Sequence, residues 1–289
     1  MKSIVDKLYS RVAKVGHVCV GLDTDPAYLP AGLAGRFRKK TDAIFTFNKE
    51  LIDATIDAAA CFKVQIAYYE ALGLEGLGAY MKTLGYLRDN GAIVIADVKR
   101  GDIAKTAEMY AKAHFSGDFE ADFITVNPFM GMDTLAPFFP YLETGAKGLF
   151  ALVATSNPGA ADIEGIVAAD GESVSEKTGA LIQTAGKPFK GKCGYSAIGA
   201  VVGCTNRDQT TAIRKRLDST FFLIPGYGAQ GGTAADMVHY FDKKKNGGVV
   251  NASRSILMAW KNPDHSSLEF TDAARAEVLL MRDQILNAL

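Results

Sequence analysis

Short apolar segments alternate with longer stretches of helical periodicity along most of the chain. Between the apolar segments, apolar residues recur at helical spacing, as in residues 42–60 and 232–245. Near-continuous apolar strands that alternate with helices are typical of a parallel sheet covered by helices. Eight such units predict an α/β fold, a (β/α)8 TIM barrel, with an open doubly wound sheet as the alternative. The eight predicted strands are residues 17–23, 61–67, 92–99, 123–128, 148–155, 199–205, 221–228 and 247–254.

Two segments do not fit this repeat. In the first sixteen residues the apolar positions follow helical spacing, which predicts an amphipathic N-terminal helix and not a signal peptide. Residues 156–198 separate the fifth and sixth strands by far more than the usual few residues. A helix is predicted over residues 173–186, and the rest of this insertion is either a lid or an inert excursion. The pattern predicts one barrel domain over residues 1–289.

Composition narrows the class of partner. The 289 residues include 32 basic and 32 acidic side chains, so an electrostatic attraction to nucleic acid is not indicated. Apolar runs stay below the 18 or more residues of a membrane span, which predicts no membrane partner. The partner expected from these features is a small molecule.

The cysteines give a further expectation about metal and location. They lie far apart and lack the paired spacing of metal sites, at positions Cys19, Cys61, Cys193 and Cys204. Reduced, buried thiols in a cytoplasmic protein without a bound metal are therefore expected.

The third predicted strand ends in unexpected charge. The stretch "IVIADVKRGDI" contains Asp97, Lys99, Arg100 and Asp102 within six positions. Because side chains alternate along a strand, Asp97 and Lys99 should project to one side and Arg100 to the other. Asp102 should lie where the next helix begins, free to point elsewhere.

The first two strands carry further charges for the same rim. Lys63 interrupts the apolar second strand, where an ammonium is costly unless a carboxylate on an adjacent strand pairs with it. Asp97 on the third strand is the predicted partner, and Asp23 ends the first strand. The sequence thus predicts a row of alternating charge at the carboxyl end of the barrel, where catalytic groups of this fold gather. Ordinary surface ion pairs are the alternative for any single pair.

A phosphate site is predicted at the ends of the seventh and eighth strands, where such barrels commonly bind phosphate. Arg254 lies at the start of a predicted helix, whose N–H groups favour an anion. The preceding turn, "PGYGAQGGT", offers close backbone approach and one side-chain donor, through Gly226, Gly228, Gly231, Gly232 and Gln230.

Taken in order, these segments resemble the orotidine 5'-phosphate decarboxylase family, in particular its longer bacterial type. The likeness covers most of the chain through "GLDTD", "FKVQIAYYE", "IADVKRGDI", "ITVNPFMGMD", "VATSNPGA", "VVGCT", "IPGYGAQGG" and "VNASRSI". The resemblance implies a homodimeric barrel that converts orotidine monophosphate to uridine monophosphate without a metal or organic cofactor. The family's shorter forms have an extended phosphate-binding loop after strand seven, whereas here that loop is compact and the long excursion follows strand five.

The resemblance also implies roles for individual residues. Lys63, Asp97, Lys99 and Asp102 match the family's Lys-Asp-Lys-Asp array, with Lys99 as the proton donor to pyrimidine C6. Asp102 and Thr106 would reach across the dimer interface into the partner's site. The remaining substrate contacts would be a ribose hydroxyl to Asp23, the pyrimidine edge to Ser156, and the phosphate to Gln230 and Arg254.

Three alternatives remain open from the sequence. The spacing Asp-x-Lys-x-x-Asp also occurs in relatives that act on sugar phosphates through a bound magnesium ion. A Schiff-base aldolase would use Lys63 or Lys99. A non-catalytic protein that binds nucleotide phosphates is the alternative outside enzymes.

Overall fold

Eight parallel strands close into a barrel in the order β1 to β8, in the computed structural model, which describes residues 2–203, 207–228, 232–265 and 267–289. The closed barrel confirms the predicted fold over the open sheet. Its strands are β1 (Val18–Leu22), β2 (Cys61–Gln65), β3 (Val94–Arg100), β4 (Phe123–Val126), β5 (Gly148–Ala154), β6 (Ser196–Val202), β7 (Thr220–Ile224) and β8 (Gly248–Ala252).

Helices surround the barrel, and seven of them in the described parts of the chain have ten or more residues. They are α1 (Ile4–Val15), α2 (Lys40–Thr55), α3 (Gly73–Asp89), α4 (Ala104–Phe115), α5 (Val174–Gly186), α6 (Arg207–Arg216) and α7 (Phe270–Ala288). Shorter α-helices occupy Ala31–Ala34, Ala67–Glu70, Phe139–Glu143, Ala234–Met237 and Arg254–Leu257. Short 3₁₀ turns occupy Pro26–Tyr28, Met132–Phe138, Pro158–Asp162, Lys187–Phe189, Val238–Tyr240, Ala259–Lys261 and Pro263–His265. None of the described helices is long and apolar enough to cross a membrane.

The N-terminal helix α1 closes the amino end of the barrel. Ser3 caps it, with Asp6 completing a capping box. Its apolar face packs with residues of the barrel interior such as Ile95, Phe123 and Phe150. Because α1 covers one end, the carboxyl ends of the strands form the accessible mouth of the barrel.

The helix predicted over 232–245 is wrong in extent. It ends after Ala234–Met237 and one 3₁₀ turn, Val238–Tyr240. The carboxylate of Asp242 accepts hydrogen bonds from the backbone N–H groups of Lys244 and Asn246, and Lys245 has a positive φ of 59°. Asp242 therefore directs the following residues into a turn, because its side chain competes for backbone donors that a helix would use.

The insertion after β5 consists of an irregular segment followed by a barrel helix. The predicted helix over 173–186 is present as α5, which starts at a capping box between Ser173 and Glu176 and packs against β5 and β6. Residues 155–173 before it contain one 3₁₀ turn and an isolated bridge between Val167 and Ser173. The excursion proper is therefore shorter than the interval between the two strands.

The cysteines lie in different environments. Cys19 and Cys61 are free, buried and paired in register on β1 and β2, as predicted for reduced core thiols. Cys193 is free and half-buried in the loop before β6, and Cys204 lies outside the described residues.

Candidate active site

A row of alternating charges crosses the mouth of the barrel from β1 to β3. Lys63 Nζ lies 2.9 Å from Asp23 Oδ1 and 3.1 Å from Asp97 Oδ2. Lys99 Nζ lies 2.7 Å from Asp97 Oδ1. The predicted pairing of Lys63 with a carboxylate of the neighbouring strand is therefore present, and Asp23, Lys63, Asp97 and Lys99 form one connected charge row.

Each buried charge in this row is balanced by opposite charges. Burial would lower the pKa of Lys63, which is 4% exposed, but the carboxylates of Asp23 and Asp97 outweigh burial and raise that pKa above its ordinary value. Burial would raise the pKa of Asp97, but Lys63 and Lys99, with hydrogen bonds, lower it to about 2. The buried pair of Lys63 and Asp97 is therefore ionised at neutral pH.

The end of β3 contains a β-bulge, which decides where Lys99 points. Ala96 pairs with Ile124 and Arg100 pairs with Val126, so residues 97–99 lie opposite the single residue Thr125. Lys99 has a positive φ of 45°, a backbone conformation rare for a residue with a side chain. The predicted contact of Asp97 with Lys99 is thus present, but it depends on this bulge and not on simple alternation.

Arg100 points away from the charge row, as predicted. Its guanidinium lies 3.5 Å from Glu70 and donates to Nε2 of His114 at 3.4 Å. It also lies over the ring of Tyr110. These partners are on helices outside the barrel, so Arg100 belongs to the packing behind β3.

Sequence reasoning missed three polar side chains that hold the row in place. Gln65 donates to Asp97 Oδ2 at 2.9 Å, Thr125 donates to Asp97 Oδ1 at 2.8 Å, and Ser253 donates to Asp23 Oδ2 at 2.9 Å. Gln65 stands two residues after Lys63, so strand alternation could have found it. A hydroxyl within the apolar run of β4 is the corresponding signal for Thr125.

Two adjoining cavities open beside the charge row and share Lys63, Asp97, Pro225 and Asn251 in their walls. The larger, of about 370 Å³, is also lined by Asp23, Gly226, Ser253 and Arg254. The smaller, of about 240 Å³, is lined by Lys99, Thr125 and Ser156, and by Leu152, Val201 and Leu223. The row therefore separates a polar compartment from a largely apolar one.

Ser156, Arg254 and Gln230 are the residues predicted to contact the pyrimidine edge and the phosphate. Ser156 lines the smaller cavity, and the exposed Arg254 lines the larger one, in a helix of only four residues. Gln230 lies outside the described residues.

Asp102 and Thr106 stand apart from the charge row of their own chain. Asp102 precedes α4 and accepts a hydrogen bond from the N–H of Ile103, while Thr106 is exposed in the first turn of that helix. Neither residue lines either of the two cavities.

The excursion after β5 reaches back to the active-site rim through Glu164. One of its carboxylate oxygens accepts from the N–H of Thr155, and the other accepts from the Thr155 hydroxyl, both at 2.7 Å. Thr155, Ser156 and Asn157 all line the smaller cavity. Glu164 thus fixes the start of the loop that forms one wall of that cavity.

The charge row differs from a metal site in its ligands. Within the described ranges, no group of three or more His, Cys, Asp or Glu side chains is arranged to hold a metal ion. Both carboxylate oxygens of Asp97 already face ammonium groups. The arrangement can place a cation beside a reacting atom without a metal.

Comparison with known proteins places these features in a family. The family model described as Orotidine 5'-phosphate decarboxylase / HUMPS matches residues 16–269. The chain belongs to this family. Among orotidine 5'-phosphate decarboxylases, it is 56% identical over 286 residues to that of Clostridium perfringens (strain SM101 / Type A), with 99% of each chain covered. It is 55% identical over 286 residues to that of Clostridium tetani (strain Massachusetts / E88), again with 99% of each covered.

A solved orotidine 5'-phosphate decarboxylase structure agrees with the fold. The OMP decarboxylase of Leishmania donovani superimposes with a TM-score of 0.78 and 29% sequence identity, covering 99% of this chain and 98% of that one. The match covers 99% of this chain, so the chain is similar to this family member over essentially its full length.

Proposed function

We propose that this chain is an orotidine 5'-phosphate decarboxylase, a carboxy-lyase that converts orotidine monophosphate to uridine monophosphate, the last step of de novo UMP synthesis. The observation that carries the proposal is the connected row of Asp23, Lys63, Asp97 and Lys99 at the mouth of the barrel. Family membership and the 56% identical relative support it. The reaction as proposed uses no metal or organic cofactor.

Lys99 is suited to the chemical step. When the bond from C6 to the carboxylate breaks, its electron pair stays on C6 and leaves a carbanion as carbon dioxide departs. An ammonium beside C6 stabilises this charge as it develops and then donates the proton that completes the product. Lys99 lines the smaller cavity and its side chain is 48% exposed, so it is accessible to a bound pyrimidine.

Asp97 acts mainly by holding the two lysines. Repulsion between its carboxylate and that of the substrate, at about 4 Å and an effective dielectric near 20, amounts to roughly 4 kcal/mol, or on the order of a thousandfold in rate. In this chain both oxygens of Asp97 face ammonium groups, which reduces the repulsion that a substrate would meet. We therefore assign most of the role of Asp97 to orienting Lys63 and Lys99.

The two cavities divide the substrate between them. The smaller cavity takes the pyrimidine, with Ser156 at its edge, and the larger takes the ribose phosphate, with Asp23 near a ribose hydroxyl and Arg254 at the phosphate. Gln230 is the second proposed phosphate ligand. Phosphate binding far from C6 would supply the energy that positions the reacting carbon.

We also propose that the active unit is a homodimer in which Asp102 and Thr106 serve the partner's site. Apolar side chains around them support this arrangement: Ile103, Met109 and Phe129 are 57%, 50% and 77% exposed in the single chain. The cytoplasm is the proposed location, since it keeps buried thiols such as Cys19 and Cys61 reduced.

A direct assay tests the activity. Loss of orotidine monophosphate is followed by absorbance after the protein has been treated with EDTA, and the product is identified as uridine monophosphate. We expect full turnover with EDTA present. Turnover that requires added Mg²⁺ points to the metal-dependent alternative, and binding of uridine monophosphate without turnover points to a non-catalytic protein.

Mixed dimers test the shared site. Lys99→Ala and Asp102→Ala chains are each expected to be inactive, and mixing them should restore part of the activity because one site of the heterodimer is intact. If heterodimers are demonstrated by mass and no activity returns, Asp102 does not serve the partner's site.

A further inference from the structure

The β-bulge in β3 leaves backbone donors that the regular sheet does not serve. Three residues, 97–99, lie opposite Thr125 alone on β4. The N–H groups of Val98 and Lys99 both donate to Oγ1 of Thr125, each at 2.9 Å. One side-chain oxygen therefore takes the place of the strand partners that the bulge removes.

The same hydroxyl also holds the central carboxylate of the charge row. Thr125 Oγ1 donates its only proton to Asp97 Oδ1 at 2.8 Å, and that carboxylate oxygen also faces Lys99 Nζ at 2.7 Å. With one proton donated and two N–H groups accepted, the hydrogen-bonding capacity of the hydroxyl is full. Thr125 is 1% exposed, so water does not compete for these bonds.

We propose that Thr125 is a positioning residue for the decarboxylation, whose hydroxyl fixes the Asp97 carboxylate and the backbone of Lys99 relative to each other. This inference rests on the proposed function. Lys99 adopts a positive φ, a conformation that its neighbours must impose, and the bond from its N–H to Thr125 is one such constraint. Loss of the hydroxyl would let both ends of the Asp97 to Lys99 contact move.

Substitution of Thr125 by Val tests the role, because Val keeps the shape and removes the hydroxyl. Thr125→Ser keeps the hydroxyl and should restore function. Thr220→Val is the matched control: Thr220 is also a fully buried strand threonine, it donates to Gln183, and it begins β7 at the amino end of the barrel.

For Thr125→Val we expect kcat to fall at least about tenfold with KM within about twofold, because a hydrogen bond to a charged group is lost at the reaction centre. Thr125→Ser should stay within about threefold of the wild type, and Thr220→Val should leave kcat unchanged. A folded Thr125→Val protein with wild-type kcat would overturn the inference. If the Val variant does not fold, Thr125→Ala replaces it, since Ala also lacks the hydroxyl, and wild-type kcat there would overturn the inference equally.

A second measurement does not depend on turnover. The carboxyl carbon of Asp97 is followed by NMR in ¹³C-aspartate-labelled protein, assigned with Asp97→Asn. In Thr125→Val, Asp97 should begin to titrate about one pH unit higher than in the wild type, because a hydrogen bond to its ionised form is gone. Unchanged titration would contradict the contact. If the wild type itself fails to decarboxylate orotidine monophosphate, the proposed function fails while this titration still tests the contact.

Discussion

Both ends of the barrel contain buried charges and a cavity. Only at the carboxyl end do the charges form a connected row beside the cavity. A cavity of about 360 Å³ at the amino end nearly equals the larger one at the mouth, of about 370 Å³. Among its charged lining residues, Arg11 donates to the backbone carbonyls of Ile56 and Ala59, Asp57 pairs with Arg275, and Lys7 is exposed to solvent. Cavity volume therefore does not identify the site, whereas the state of the charges around the cavity does.

Two buried lysines, one at each end of the barrel, differ in how their charges are paired. Lys147, just before β5 at the amino end, donates to Glu120 at 2.7 Å and to the carbonyl of Ala121 at 2.9 Å. Lys63 at the mouth lies between two carboxylates, and one of them, Asp97, is shared with a second lysine that faces a cavity. The ammonium of Lys147 is engaged by these two partners, so it serves the fold. In the charge row, Lys99 contacts a single carboxylate and faces the cavity, so we expect it to be available to a substrate.

Two carboxylates show the same contrast. At the mouth, the two lysines overcome burial and lower the pKa of Asp97 to about 2. At the amino end, burial raises the pKa of Asp122 despite its hydrogen bond from the N–H of Val94 and the positive charge of Lys147. The mouth thus favours the ionised form of its buried acid, and the amino end disfavours it.

Replacing the two lysines should separate these roles. Lys63→Met leaves Asp23 and Asp97 without their shared cation, so we expect turnover to fall by at least about a hundredfold and the free energy of unfolding to drop by about 3–5 kcal/mol. Lys147→Met should lower stability but leave kcat of the folded protein unchanged. Steady-state kinetics give kcat and urea unfolding gives the free energy of unfolding for both variants. Equal losses of kcat would contradict the different roles assigned to the two lysines.

Replacing the two carboxylates should separate their pH dependence. Because the folded pKa of Asp97 lies below its unfolded value, Asp97 contributes stability above about pH 4, and this is lost as the pH falls toward 2. The contribution is on the order of 2 kcal/mol for a shift of this size, and Asp97→Asn should remove it.

Asp122 has the opposite sign, since its raised pKa makes the ionised form cost stability at neutral pH. Asp122→Asn keeps an oxygen that can accept from the N–H of Val94, and should leave stability at pH 7 unchanged or higher. Urea unfolding of both variants from pH 7 to pH 3 measures the two signs. A larger loss of unfolding free energy at pH 7 for Asp122→Asn than for Asp97→Asn would contradict the opposite signs assigned to the two carboxylates.

A milder change tests the excursion after β5. Glu164→Gln keeps one acceptor for Thr155 but removes the charge that strengthens both bonds. We expect kcat/KM for orotidine monophosphate to fall by about tenfold, the size of one charge-assisted hydrogen bond. Glu172→Gln, on the same excursion but paired with Arg216 and Lys177, is the control. Equal kcat/KM for both variants would show that the excursion does not contribute to catalysis through Glu164.

The sequence was sufficient for the barrel and for most of the charge row, for physical reasons. Eight repeats of strand and helix leave few architectures, and a lysine inside an apolar strand requires a partner nearby, which located Asp97 beside Lys63. The bulge at residues 97–99 was not predictable, because it depends on the register between two strands. The bonds of Thr125 and Glu164 were missed for a similar reason, since each is set by an irregular backbone segment.

The central claim is that the charges at the mouth carry the decarboxylation, with Lys99 as proton donor. The most direct test is the rate of uridine monophosphate formation by Lys99→Ala and by the wild type, both treated with EDTA and shown to be folded. Because the Lys99 side chain is 48% exposed, its loss should not disturb the core. We expect a fall of at least about a thousandfold. A folded Lys99→Ala protein with a rate within about tenfold of the wild type would contradict the account.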